Sequence, residues 1–212
     1  GAEDRALMLL CPPYVYLNAV RDWLQGSNIA LGAQDLSDRS GTGAFTGEVS
    51  GAMLRDLGCT HVIVGHSERR ALYDESDAVV ASKFKAAQQA GLIPVLCVGE
   101  TLEQREAGHT QATVQRQVAA VIDAAGVAAF GKAVIAYEPV WAIGTGKVAG
   151  AQEIKEAHGI IYDLLGGSNT KILYGGSVTP DNIKEIMAID RVFGALVGGA
   201  SLQADSFLSM VK

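Results

Sequence analysis

The sequence predicts a parallel α/β sheet, either open and doubly wound or closed into a barrel, and three observations carry that expectation. Short apolar runs alternate with helix-length stretches along all 212 residues. The runs are nearly continuous in Val, Ile, Leu, Ala and Cys, as strands buried on both faces require. No Ser/Pro-rich linker or change of composition divides the chain, so residues 1–212 are expected to form one domain.

In chain order, the strand candidates are residues 6–11, 28–33, 61–64, 93–98, 133–137, 172–174 and 193–197. The clearest helices between them are 77–90, 102–124, 151–165 and 180–188. Gly91 and the Gly166–Gly167 pair read as helix stops, and Pro180 suits a first helical turn behind Thr179, the expected N-cap. Seven strands are one βα unit, roughly 30 residues, short of an eight-stranded barrel, so the count alone leaves both architectures open.

Composition excludes several classes of function. A hydrophobic fraction of 49% and a charged fraction of 19% fit an ordinary globular enzyme. The formal charge of −6, with no basic run, argues against nucleic acid and anionic membranes as partners. The three cysteines, Cys11, Cys59 and Cys97, are far apart and odd in number, which predicts reduced thiols and a cytoplasmic location. No leader pattern opens the sequence and no apolar run approaches ~20 residues, so neither secretion nor membrane spanning is expected.

Three segments carry chemistry. In AYEPVWAIGTGK, a strand ends at Tyr137 and an acid, Glu138, follows at its C-terminal mouth. Pro139 and Trp141 stiffen the start of the next loop, while Gly144 and Gly146 let backbone N–H groups approach a ligand, as in a lid that closes as one piece. In VIVGHSERR, a strand runs through Gly65 into His66 at the start of a polar helical turn. The dipole of that turn disfavours protonation and favours a neutral imidazole donor. His61, His109 and His158 have no comparable setting. Finally, Gly175–Gly176 and Gly198–Gly199 follow the last two strand candidates, where strand-to-helix turns expose amides that can cradle a phosphate.

EPVWAIGTGK, VGHSERR, GAFTGEVS, LYGGSV and LVGGASL stand in the order and spacing of triosephosphate isomerases, and the resemblance runs from about Leu10 to the C-terminus. It implies a (β/α) TIM barrel, here with seven βα units corresponding to the second through eighth. It also implies a glycolytic isomerase that interconverts dihydroxyacetone phosphate and glyceraldehyde 3-phosphate without a metal or organic cofactor. By this resemblance Glu138 carries a proton between substrate carbons and His66 is the neutral electrophile, roles that serve as a standard example of tuned acid–base chemistry. Glu68 matches a supporting acid, Gly144, Ser177, Gly198 and Gly199 match phosphate-gripping positions, and Tyr174 with Ser177 matches a latch for the closed lid.

One departure stands at the start. The opening residues match the family's second strand, so the lysine that ends the first strand has no counterpart in the 212 residues. The resemblance therefore implies weakened activity, the alternative being an impaired, truncated or engineered barrel that keeps its phosphate site and self-assembles. In the family the loop holding Gly43–Glu48 reaches a second subunit. Here the apolar strands at residues 6–11 and 193–197 are further expected to become free edges that pair with other copies.

Overall fold

The computed structural model describes residues 6–145 and 147–211. Seven strands form one sheet: β1 (Leu9–Leu10), β2 (Ala30–Ala33), β3 (His61–Val64), β4 (Ile93–Val98), β5 (Val134–Tyr137), β6 (Lys171–Tyr174) and β7 (Gly194–Ala195). All neighbours are parallel and their order in space is their order in sequence. A doubly wound sheet reverses direction at a switch point. This one never does, and it curls into the half-barrel of a TIM-barrel fold. Among the described residues β1 and β7 are unpaired on their outer sides.

The helices are α1 (Leu17–Trp23), α2 (Gly51–Asp56), α3 (Ser67–Leu72), α4 (Asp77–Gln89), α5 (Leu102–Glu106), α6 (Thr110–Ala125), α7 (Ala151–Leu164), α8 (Ile183–Met187) and α9 (Ala204–Ser209). None is long and apolar enough to cross a membrane. Side chains alternate across the strands. Val62, Val64, Leu96, Ile135 and Ile172 face the helices, while Ile63, Val95, Cys97 and Ala136 form a smaller inner cluster with Leu173 and Leu196. Burial on both faces explains why the strands read as continuous apolar runs.

Several boundaries differ from the sequence expectation. The first and last strands shrink to two residues each, because each has a ladder partner on one side only. The single helix expected over 102–124 is two helices. Gly108, at φ 73°, ends α5, and the amide of His109 turns back onto the Gln104 carbonyl at 2.7 Å. Thr179 does not cap with its side chain. Asn182 reaches back instead, its Oδ1 accepting from the Thr179 amide at 2.8 Å, and α8 begins after it.

Two buried polar features tie the layers together. Lys83 on α4 reaches Asp35 Oδ1 at 2.7 Å and Glu75 Oε1 at 2.6 Å, and Arg69 of α3 bonds the same two acids. Burial works to raise the Glu75 carboxyl, but the Lys83 and Arg69 hydrogen bonds outweigh it and hold it low. At Asp35 burial prevails over the same cations and the carboxyl is raised. On α7, His158 is fully buried, donates from Nδ1 to the Arg191 carbonyl at 3.0 Å and meets the edge of Tyr137. Burial lowers its pKa to about 4, against the raising effect of the Arg191 carbonyl.

Candidate active site

The C-terminal ends of β3, β4 and β5 lie side by side, which places Gly65–His66, Gly99–Glu100 and Glu138 on one rim. Glu138 follows the last residue of β5 and is 2% exposed. Its Oε2 accepts from the Ser67 amide at 3.0 Å, at the first turn of α3. Its Oε1 lies 3.0 Å from Nε2 of His66. The fit around it is tight, since a Cβ on Gly175 would stand 3.0 Å from the Glu138 Cγ.

His66 caps α3 with its ring, Nδ1 accepting from the Glu68 amide at 3.3 Å. That bond places the ring proton of neutral His66 on Nε2, which donates to Glu138. Burial acts to lower the pKa of His66, but the hydrogen bond and charge of Glu138, joined by Glu68, outweigh it, and the net direction is upward. The helix start alone would depress the imidazole, but the carboxylate resting on the ring reverses the sign in this conformation. The Glu68 side chain is 72% exposed with its carboxylate 3.8 Å from Nδ1, where its charge helps raise the His66 pKa, and its backbone amide donates to the same nitrogen.

The loop after Glu138 is anchored at its first turn. Val140 donates to the Glu100 carbonyl at 3.1 Å, and Trp141 Nε1 donates to Glu100 Oε1 at 3.0 Å. Glu100 is fully buried and also accepts from the Tyr137 hydroxyl and from Arg105, whose guanidinium stacks on Trp141. Farther along, Thr145 Oγ1 donates to the Trp141 carbonyl at 2.9 Å. Gly144 takes φ 64° with open space around it, and Gly146 lies outside the described residues. The Tyr174 hydroxyl is buried without a hydrogen-bond partner among the described residues, although the Ala149 backbone is close enough to influence it.

Ser177, Gly198 and Gly199 stand on the loops after β6 and β7, on the same rim. Ser177 is half-buried, its carbonyl held by Asn182 Nδ2 at 3.0 Å. Gly198 and Gly199 are exposed at the start of a short 3-10 turn, Gly199–Leu202. The structure therefore brings His66 and Glu138 into contact and arrays the four phosphate candidates on three successive loops, without hydrogen bonds between them.

Sequence reasoning missed Glu100, Arg70 and Gln117. Arg70 donates to the carbonyls of Gly65 at 2.8 Å and Cys97 at 3.3 Å, and so ties the end of β3 to that of β4. Glu100 had a usable signal: like Glu138, it is an acid directly past a strand end, in Cys97-Val-Gly-Glu100.

Comparison with known proteins places the chain in a family. The family model described as triosephosphate isomerase matches residues 2–212. A triosephosphate isomerase of Dechloromonas aromatica is 53% identical over 96% of this chain and 84% of its own length. One from Alcanivorax borkumensis is 50% identical over 100% of this chain and 87% of its own. The crystal structure of triosephosphate isomerase from Bartonella henselae superposes with a TM-score of 0.86 at 41% identity, covering 96% of this chain and 85% of that one. With a matching family model, relatives near 50% identity and a matching fold, the chain belongs to the triosephosphate isomerase family and is an isomerase.

Proposed function

We propose that this chain, acting as one domain in the cytoplasm, interconverts dihydroxyacetone phosphate and glyceraldehyde 3-phosphate, with Glu138 and His66 as its catalytic residues. The observation that carries the reading is the 3.0 Å contact between His66 Nε2 and Glu138 Oε1, with Nδ1 occupied by a backbone amide. Substrate entering between the two separates them. Glu138 then takes a proton from C1 of the ketone, and the electron pair moves to form an enediolate. His66 Nε2–H hydrogen-bonds the developing oxyanion and moves a proton between O2 and O1. Glu138 returns its proton at C2, which completes the aldehyde with no atom gained or lost. Amides at Gly144, Gly198 and Gly199, with Ser177, hold the phosphate.

For the residues described we infer a slow turnover. No lysine or arginine hydrogen-bonds to His66 or Glu138 among the described residues, and one missing preorganised donor typically lowers kcat by about 10²–10³. Turnover of glyceraldehyde 3-phosphate in deuterated water is the test. Deuterium on the product carbon, lost in Glu138→Gln, supports the reading. An ordinary family rate removes the claim of weakness, and activity indifferent to Glu138 removes the mechanism.

We also infer that the polypeptide self-associates through the two sheet edges that are unpaired among the described residues. Leu7 beside β1 is 97% exposed, and Phe193 and Leu202 around β7 are 54% and 81% exposed. Light scattering after size exclusion decides this, and a stable monomer at micromolar concentration refutes it.

A further inference from the structure

We propose that Gln117, on α6, is a positioning residue for the isomerase chemistry: it holds the two peptide groups flanking Gly99, against which both Glu138 and the lid anchor Glu100 are set. Gln117 is 5% exposed. Its Oε1 accepts from the Gly99 amide at 2.8 Å, and its Nε2 donates to the Gly99 carbonyl at 3.1 Å. Gly99 has just left β4, and a side-chain amide supplies both the acceptor and the donor that a neighbouring strand would otherwise provide. The mirrored pair fixes the direction of the Gln117 amide, since the reverse orientation would set donor against donor.

Gly99 in turn touches Glu138 without slack. A Cβ at position 99 would lie 1.7 Å from the Glu138 carbonyl oxygen, so the two backbones are in direct contact. The adjoining peptides are cross-linked as well, with Glu138 donating to the Val98 carbonyl at 2.7 Å and Val140 to that of Glu100 at 3.1 Å. On its other side Glu138 is closed in by Gly175. A shift of the Gly99 peptide therefore moves the base and, through Glu100, the Trp141 anchor. A cavity of about 580 Å³, lined by Arg70, Cys97, Gly99, Gln117 and Glu138, lies beside this contact, so the peptide has room to move once released. Misplacing a reacting group by about 1 Å can cost on the order of 10² in rate.

The proposal rests on the reading of Glu138 given above, so its test has two arms. Gln117→Leu removes both hydrogen bonds at similar volume. Gln117→Glu keeps the acceptor for the Gly99 amide and sets an oxygen against the Gly99 carbonyl. In the first arm, hydrogen exchange is followed at the Trp141 indole N–H and at the Gly99 and Val140 amides, with β2 amides as reference. The expected result for Gln117→Leu is exchange about ten-fold faster or more at the first group with β2 unchanged, and a smaller effect for Gln117→Glu. Unchanged exchange, or acceleration equal across the sheet, overturns the proposal. In the second arm kcat falls about ten-fold or more in Gln117→Leu while KM stays within about two-fold, because the phosphate loops are untouched. Unchanged kcat, or kcat and KM shifting together, also overturns it. If the unmutated protein shows no turnover, the reading of Glu138 fails and exchange alone decides the positioning role. If Gln117→Leu does not fold, Gln117→Glu is judged by the same criteria.

Discussion

His66 Nε2 donates to Oε1 of Glu138 at 3.0 Å, so in this conformation the proposed acid–base partners are engaged with each other. The contact predicts a titration. Glu138 holds the His66 pKa above its ordinary value against burial, so Glu138→Gln lowers it. A histidine raised on folding adds stability that is full below its unfolded pKa and is lost as pH rises through the folded one. Proton NMR of the His66 ring against pH reports the shift directly, and identical titration in both proteins would contradict the assignment.

The same variant separates binding from chemistry. Glu138→Gln keeps the shape of the side chain and its bond from Ser67, so affinity for inorganic phosphate or a phosphoglycolate-like inhibitor stays within about two-fold. Loss of the general base lowers kcat by about 10²–10⁴. Calorimetry and steady-state kinetics on one preparation measure both.

Tyr174→Phe leaves thermal stability unchanged or slightly raised, because the hydroxyl is buried without a hydrogen-bond partner among the described residues. If that hydroxyl takes up the Ala149 amide when the lid closes, inhibitor affinity drops by about ten-fold, the worth of roughly one hydrogen bond. An equal loss of stability and affinity would place the hydroxyl's role in the open form instead.

Lys83→Met leaves the buried Asp35 and Glu75 carboxylates with Arg69 as the one cation bonded to both among the described residues. Breaking such a network typically costs about 3–5 kcal/mol, which urea denaturation resolves easily. A change below about 1 kcal/mol would show that Arg69 alone neutralises both acids.

Acid sensitivity has a separate source. With His158 lowered to about 4, the unfolded chain binds more protons than the folded one between that pH and 6.5, so stability falls as pH drops through this window. The full loss is roughly 3 kcal/mol. His158→Gln flattens this part of the stability profile, and an unchanged slope would assign the effect to other groups.

The architecture was legible because parallel strands buried on both faces leave uninterrupted apolar runs, and the order of the strand ends then places His66, Glu138 and the glycine loops. What stayed hidden was cross-chain pairing. Nothing local to Gln117 says that its amide meets Gly99, eighteen positions earlier, and nothing near Glu68 says that its backbone amide donates to the His66 ring. Short features were misread for a related reason. Residue type favours Thr179 as the cap, but the hydrogen bond runs from its amide to Asn182, a choice made by the geometry of the turn. The edge strands were overextended because apolar sequence continues where ladder partners do not.

The approach of position 99 to the Glu138 carbonyl also bears on how this sequence can be recombined. A Cβ at position 99 would collide with the Glu138 carbonyl oxygen, so the fit of the two strand ends depends on glycine at 99 and on the exact spacing of the two backbones. A chimera that takes β4 from one parent and β5 from another therefore has to reproduce that spacing between ends set by different sequences. Libraries built from relatives near 50% identity are expected to lose active members when the crossover falls between Gly99 and Glu138 and to tolerate it after Gly150, with Gln117 travelling with Gly99 in the viable set.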